Sequence, residues 1–244
     1  MNKTYTETFC VRGTECDAYD RMRLDALFLN MQEFGETHAR QLGLGYDAML
    51  SRGLFFVLSR VHVRIFKPLR SGQRVVHTTW PGVSNRFFCP RFHEFRAEDG
   101  TLLAAAGALW VVLDTENRSI VSPLKAALPF PDNSDIPAPI ALPNRLPVLH
   151  ADATQTSRTP VYSDFDVNRH VNNTKYIAWL CDSLGLKTFE NAYISELTAG
   201  YEKEIRHSDP LDLAVSLHGD DFTFCVSSSG ERNFVASGTL SKEV

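Results

Sequence analysis

Six of the twelve prolines in this 244-residue chain fall between Pro129 and Pro147, in PFPDNSDIPAPIALPNRLP. Proline fixes its own φ and lacks an N–H, so such a run is neither helix interior nor central strand. It predicts a linker over residues 131–150 joining two units, residues 1–130 and 151–244, each large enough for its own core. A hydrophobic share of 43% and a charged share of 22% give both units the makeup of an ordinary globule.

The two units repeat one order of elements. In the first, CVRGTECD reads as a strand, and LDALFLNMQEFGETHARQLG as a helix with Leu24, Leu27, Phe28, Met31 and Phe34 on one stripe and Gly43 as its stop. Strand-like runs follow in FFVLSRVHVRIF, QRVVHTTWPG, RFFCPRFHEFRAEDG and TLLAAAGALWVVLD. In the second, TSRTPVYSDFD is the opening strand and NNTKYIAWLCDSLG the helix, with Tyr176, Ile177, Leu180 and Leu184 facing inward. The strands after it are ISELTAGYEKEIR, LDLAVSLHG, DFTFCVSSSG and RNFVASGTLSKE. A helix followed by an antiparallel meander is an α+β unit, and two of them in one chain predict a pseudo-dimer. Registering GTECDAYDRMRLDALF on VYSDFDVNRHVNNTKY sets Ala18 opposite Asp166, Asp20 opposite Asn168 and Met22 opposite His170, so the first copy is expected to be chemically silent.

Several classes are disfavoured. The longest apolar run, LLAAAGALWVVL, is shorter than the ~20 residues of a membrane helix, and no membrane span is expected. The opening residues carry neither a signal core nor transit-peptide character, which makes the cytoplasm the expected location. Five scattered cysteines without a C-x-x-C pair point to reduced thiols and not to zinc or redox chemistry. A net charge of −4 disfavours nucleic acid as a partner. That average conceals a stretch from Ala48 to His93 with no acidic residue and with Arg60, Arg64, Lys67 and Arg70 among its cations.

The densest polar stretch is SDFDVNRHVNN, residues 163–173, at the mouth of the second helix. One capping residue suffices there, and Asn172 or Asn173 supplies it. Asp166, Asn168 and His170 lie upstream at alternating positions, so an extended backbone would aim all three to one side. DFDVNRHVNNTKYIAWL resembles the signature of the acyl-acyl carrier protein thioesterases of plants and bacteria, with D-x-D-x-N-x-H-V-N-N-x-x-Y fixing eight positions in thirteen.

That resemblance implies a double hotdog fold, two tandem units each with a helix wrapped by an antiparallel sheet, and hydrolysis of acyl-carrier thioesters without metal or cofactor. It sets the catalytic Asp, Asn and His on Asp166, Asn168 and His170, and an acidic partner on Glu204. Plant members carry Cys after that Glu, and here the residue is Ile205, so attack by water assisted by a carboxylate replaces a thiolate mechanism. Cys181 has no neighbouring sequence feature that would lower its pKa.

The chemistry agrees with the residue types. Thioester hydrolysis needs a base for water, a donor for the oxyanion and exclusion of solvent. Asp166 or Glu204 can polarise the water, His170 can relay the proton near neutral pH, and Asn168 can hold water or carbonyl. The backbone N–H groups of Val171 and Asn172 are the expected oxyanion donors. By the same resemblance Leu27, Phe28 and Met31 line an acyl pocket. The acid-free stretch, with Arg60, Arg64, Lys67 and Arg70, is expected to offer a docking face to an acidic acyl carrier protein or its pantetheine phosphate. An acyl-CoA thioesterase on the same scaffold and a non-catalytic acyl-thioester sensor are the alternatives, and a homodimer is compatible with the layout.

Overall fold

The computed structural model describes residues 3–150 and 152–243. Before the proline run lie β1 (Tyr5–Cys10), α1 (Leu24–Gln41), α2 (Tyr46–Leu50), β2 (Leu54–Ile65), β3 (Arg74–Pro81), β4 (Cys89–Ala97), β5 (Leu102–Asp114) and the two-residue β6 (Ile120–Val121). After it come β7 (Thr154–Arg158), α3 (Asn173–Leu184), β8 (Ala192–Tyr201), β9 (Leu211–His218), β10 (Asp221–Ser228) and β11 (Glu231–Lys242). The strands form one antiparallel sheet in the order β1-β3-β4-β5-β2-β8-β11-β10-β9-β7, with β6 paired to β5. The halves are thus sewn together at β2 and β8, where Arg60 to Arg64 pair with Gly200 to Glu196.

Both helices lie on one face of this sheet and touch each other. Leu24, Leu27, Phe28 and Met31 of α1 and Tyr176, Ile177, Trp179 and Leu180 of α3 join strand residues in a single buried cluster. That is the α+β, helix-wrapped-by-sheet arrangement expected from the apolar stripes. No helix among the described residues is long and apolar enough to cross a membrane.

The other face of the sheet is crossed by residues 131–150, which have no regular structure yet pack tightly. Leu142 and Ile140 rest over Gly107 of β5, and Leu146 over Gly200 of β8. The carbonyl oxygens of Ala141 and Asn144 meet His62 Nδ1 at 2.8 Å and Arg60 Nη1 at 2.9 Å. Glycine inside a strand marks close approach: a Cβ on Gly200 would stand 2.1 Å from Leu146 Cδ2. The expected linker is therefore a strap.

The stretches before the helices differ from expectation. Both opening strands end early, at Cys10 and Arg158, and each is followed by a short 3-10 turn, Gly13–Glu15 and Tyr162–Asp164. Carboxylates drive these turns: Glu15 accepts the Arg12 N–H and Asp164 accepts the Val161 N–H. The next loop is closed by a bridge between Cys16 and Met22 in the first half and between Phe165 and Val171 in the second. At the same place in each loop a residue sits at φ 61°, Asp20 and Arg169. These landmarks correct the internal register by one residue. Asp17, not Ala18, is the counterpart of Asp166, Tyr19 of Asn168 and Arg21 of His170.

Candidate active site

The polar stretch is a tight loop and not an extended run, which corrects the alternation expected for Asp166, Asn168 and His170. Asp166 N–H donates to the His170 carbonyl at 2.9 Å, and Arg169 N–H to the Asp166 carbonyl at 2.9 Å. Asp166 Oδ1 accepts the backbone N–H of Asn168 at 2.8 Å and of His170 at 3.3 Å. An Asp bonding its own backbone two residues on is a turn former. Asp17 repeats the pattern, accepting the N–H groups of Tyr19 and Arg21, each at 2.9 Å. The three side chains still come together, through loop closure.

His170 faces Glu204, with Nε2 3.6 Å from Oε2. Glu204 lies beyond the end of β8, in the loop that returns to β9, and not on the strand. Its Oε2 accepts from Arg118 Nη2 at 2.7 Å and Arg206 Nη2 at 2.9 Å. Burial on its own would raise the Glu204 pKa, but the hydrogen bond from Arg206, with His170 and Arg118 beside it, holds it below the ordinary carboxylate value. Burial is the largest influence on His170 and lowers its pKa; Glu204 pulls the other way, and Arg206 and Arg118 reinforce the lowering. The pair at neutral pH is accordingly a carboxylate and a neutral imidazole, an acceptor set suited to taking a proton from water.

Two polar partners of these side chains come from the first half. Arg118 sits in the β5–β6 turn at φ 57°, and Tyr46 of α2 donates its hydroxyl to Asn168 Oδ1 at 3.1 Å. Neither was legible in the sequence. Arg118 is one cation in a polar turn, and α2, a five-residue helix, carries no periodic signal.

The expected oxyanion donors are also corrected. Val171 N–H is engaged by the Ile205 carbonyl at 2.9 Å and Asn172 N–H by the Asp164 carbonyl at 2.8 Å. Asn172 caps α3, its Oδ1 accepting from the Thr174 N–H at 3.0 Å. At the first helical position, the Asn173 N–H has no acceptor among the described residues, and Asn173 lines the same cleft as His170. A helix start presents such open donors toward developing negative charge. Ile205 is fully buried in the core, and burial pushes the Cys181 thiol up to about 12, so neither position offers a nucleophile.

These groups line a cleft of about 760 Å³ with Asp166, Asn168, His170, Asn173 and Glu204 on its wall. Gln32, Glu36, Phe56 and Trp110 belong both to this cleft and to an inner cavity of about 100 Å³ beneath α1. Of the expected pocket residues only Met31 lines that cavity. Leu27 lines a separate cavity of about 450 Å³ near the start of α1, and Phe28 is enclosed in the core.

The basic residues do not form one docking face. Arg60 is tied to the strap, and Arg70 binds the Tyr19 carbonyl at 2.9 Å and pairs with Glu243. Arg64 and Lys67 alone of the four are freely exposed.

The model of the acyl-ACP thioesterase N-terminal domain matches residues 2–126, and that of the C-terminal domain residues 149–236. A dodecanoyl-[acyl-carrier-protein] hydrolase of Cinnamomum camphora is 28% identical over 88% of this chain and 60% of its own length. A palmitoyl-acyl carrier protein thioesterase of Gossypium hirsutum is 29% identical over 82% and 52%. The chain thus spans little more than half the length of these chloroplastic relatives. An acyl-ACP thioesterase structure from Bacteroides thetaiotaomicron superposes with a TM-score of 0.88 at 21% identity, covering 98% of each chain. The 12:0-ACP thioesterase of Umbellularia californica does so with 0.83 at 24%, covering 100% of this chain and 99% of that one. The double hotdog expected from the sequence is thereby the fold, and the chain belongs to the acyl-ACP thioesterase family.

Proposed function

We propose that the protein hydrolyses the thioester of acyl-acyl carrier protein to a free fatty acid and the holo-carrier. The observation that carries this reading is the neutral His170 held against the Glu204 carboxylate in a cleft that also contains the open Asn173 N–H. In the proposed step His170, oriented by Glu204, removes a proton from water as the water attacks the acyl carbonyl. The oxyanion draws on the Asn173 N–H at the positive end of α3, and collapse expels the pantetheine thiolate, which is protonated from His170. Asn168, held by Tyr46, orients water or the carbonyl. Residues 1–130 serve as the acyl-binding half and residues 151–244 as the half bearing most of the polar machinery. The carrier is met in the cytoplasm, with Arg64 and Lys67 as its exposed cationic contacts.

Thiol release from acyl-carrier and acyl-CoA substrates tests the proposal. His170→Ala is expected to lower kcat by at least about 100-fold with an unchanged far-UV CD spectrum. Arg118→Met removes a cation that lowers the His170 pKa, so the acid limb of the pH–rate profile moves to higher pH. Tight binding of both thioesters without thiol release at any pH would leave a sensor, and turnover of acyl-CoA alone would shift the substrate to the coenzyme.

A further inference from the structure

Two histidines and an aspartate gather outside the cleft. His150 ends the strap, Asp152 stands just before β7, and His218 ends β9 at its turn into β10. None of the three lines a cavity described above. Their ligand atoms, one from each residue, all lie within 4.8 Å of one another. His218 Nε2 is 2.8 Å from Asp152 Oδ2, and the two imidazoles lie face to face with centroids 4.5 Å apart and planes 4° apart. Among the described residues no Lys or Arg comes within ion-pair distance of Asp152, whose one such partner is His218.

The protein interior supports the cluster from behind. Ser216 of β9 and Thr223 of β10 are register partners, and both are buried. Ser216 Oγ is 2.8 Å from Thr223 Oγ1 and 3.0 Å from His150 Nδ1, while Thr223 Oγ1 accepts the His150 N–H at 3.3 Å. Two buried hydroxyls are thus committed to one half-buried imidazole. A hydrogen bond on one ring nitrogen fixes the ring and leaves the other nitrogen for a ligand, which is how metal-bound histidines are held. The Nε2 of His150 makes no hydrogen bond among the described residues.

Two imidazoles and a carboxylate suit zinc and its first-row neighbours, whereas magnesium and calcium take sets of oxygen atoms. Bonds of roughly 2.0–2.2 Å to a tetrahedral ion set its ligand atoms roughly 3.3 Å apart. The His218–Asp152 pair is close to that spacing already. The remaining movement falls on side chains free to make it, since those of His218 and Asp152 are 51% and 66% exposed.

We propose that His150, Asp152 and His218 bind one late first-row divalent cation, with zinc as the type, which fastens the end of the strap to the β9–β10 hairpin. The ion takes the place of the proton shared by His218 and Asp152, which passes to solvent. Three protein ligands leave its fourth position to water. The site is separate from the cleft, so it stands whether or not the hydrolase reading does.

The full chain, free of any affinity tag and stripped with EDTA, tests this by titration with ZnCl2 in a calorimeter and with CoCl2 in visible absorption. One ion per chain is expected, with Tm rising as Zn2+ is added and with no thiolate-to-cobalt band, since no ligand is a cysteine. Removing the supporting hydroxyl in Ser216→Ala is expected to weaken binding about 10- to 100-fold, and removing a ligand in His218→Ala by at least about 100-fold. Asp152→Asn removes the anion but keeps a hydrogen-bond acceptor for His218, and is expected to abolish the Tm rise as His218→Ala does. Both ligand variants keep the metal-free Tm of the wild type, because an exposed pair contributes little to stability. His207→Ala, at the other exposed His–Asp pair with Asp209, leaves affinity and the Tm rise unchanged. Absence of saturable binding, a thiolate band, or an affinity that survives both His218→Ala and Asp152→Asn overturns the proposal.

Discussion

Asp166 belongs to the part of the motif that looks most catalytic, yet one of its oxygens closes the loop that presents His170. Its counterpart Asp17 does the same for Arg21, which binds the carbonyls of Ala192 and Phe189. A carboxamide keeps an acceptor oxygen where alanine has none. Asp166→Asn is therefore expected to retain kcat within about tenfold, and Asp166→Ala to lose about 100-fold; equal losses in the two would make Asp166 the base. The proposed site residues Asn168, His170 and Glu204 stand out in the sequence, because a dense motif and a resemblance single them out. The sequence does not carry their partners. Arg118 and Tyr46 reach the cleft from remote turns, and only the packed fold brings such positions within hydrogen-bond distance.

At the scale of elements the periodic segments were the legible ones. Both long helices and the long strands fall within a few residues of their apolar patterns, since burying a stripe or an alternating face requires that pattern. Segments without periodicity carry less of their structure in the sequence. The 3-10 turns are set by local carboxylates, and the loops that follow have no repeat to fix the register between the two halves. The strap was visible as proline but not as packing, whose signal is the pair of glycines beneath it. Gly200→Ala is expected to lower stability by about 1–3 kcal/mol, the range for inserting a methyl group into a filled site. The denaturation midpoint measures it, and Leu146→Ala in the same chain should restore part of the loss.

For the whole molecule, acid is the expected point of weakness. His77 is buried between Phe34 and Phe95, and its pKa falls from 6.5 to about 3; His93 is also lowered. Because these groups bind protons more readily unfolded than folded, their contribution is intact above 6.5 and is lost as the pH falls from 6.5 toward 3. The loss is on the order of a few kcal/mol. Thermal melts between pH 7.5 and pH 4 should show Tm dropping through that window, and His77→Phe should flatten the slope. A Tm that is level across the window in the wild type would contradict the burial argument.

The strap also governs how copies of this chain can meet. Its course over β5, β2 and β8 covers the middle of the sheet on the side away from the helices, so back-to-back stacking of two sheets is blocked there. Self-association is left to the rims at β1 and β7 or to the helical side, and a single protease cut within the strap would yield two fragments still held by the ladder between β2 and β8.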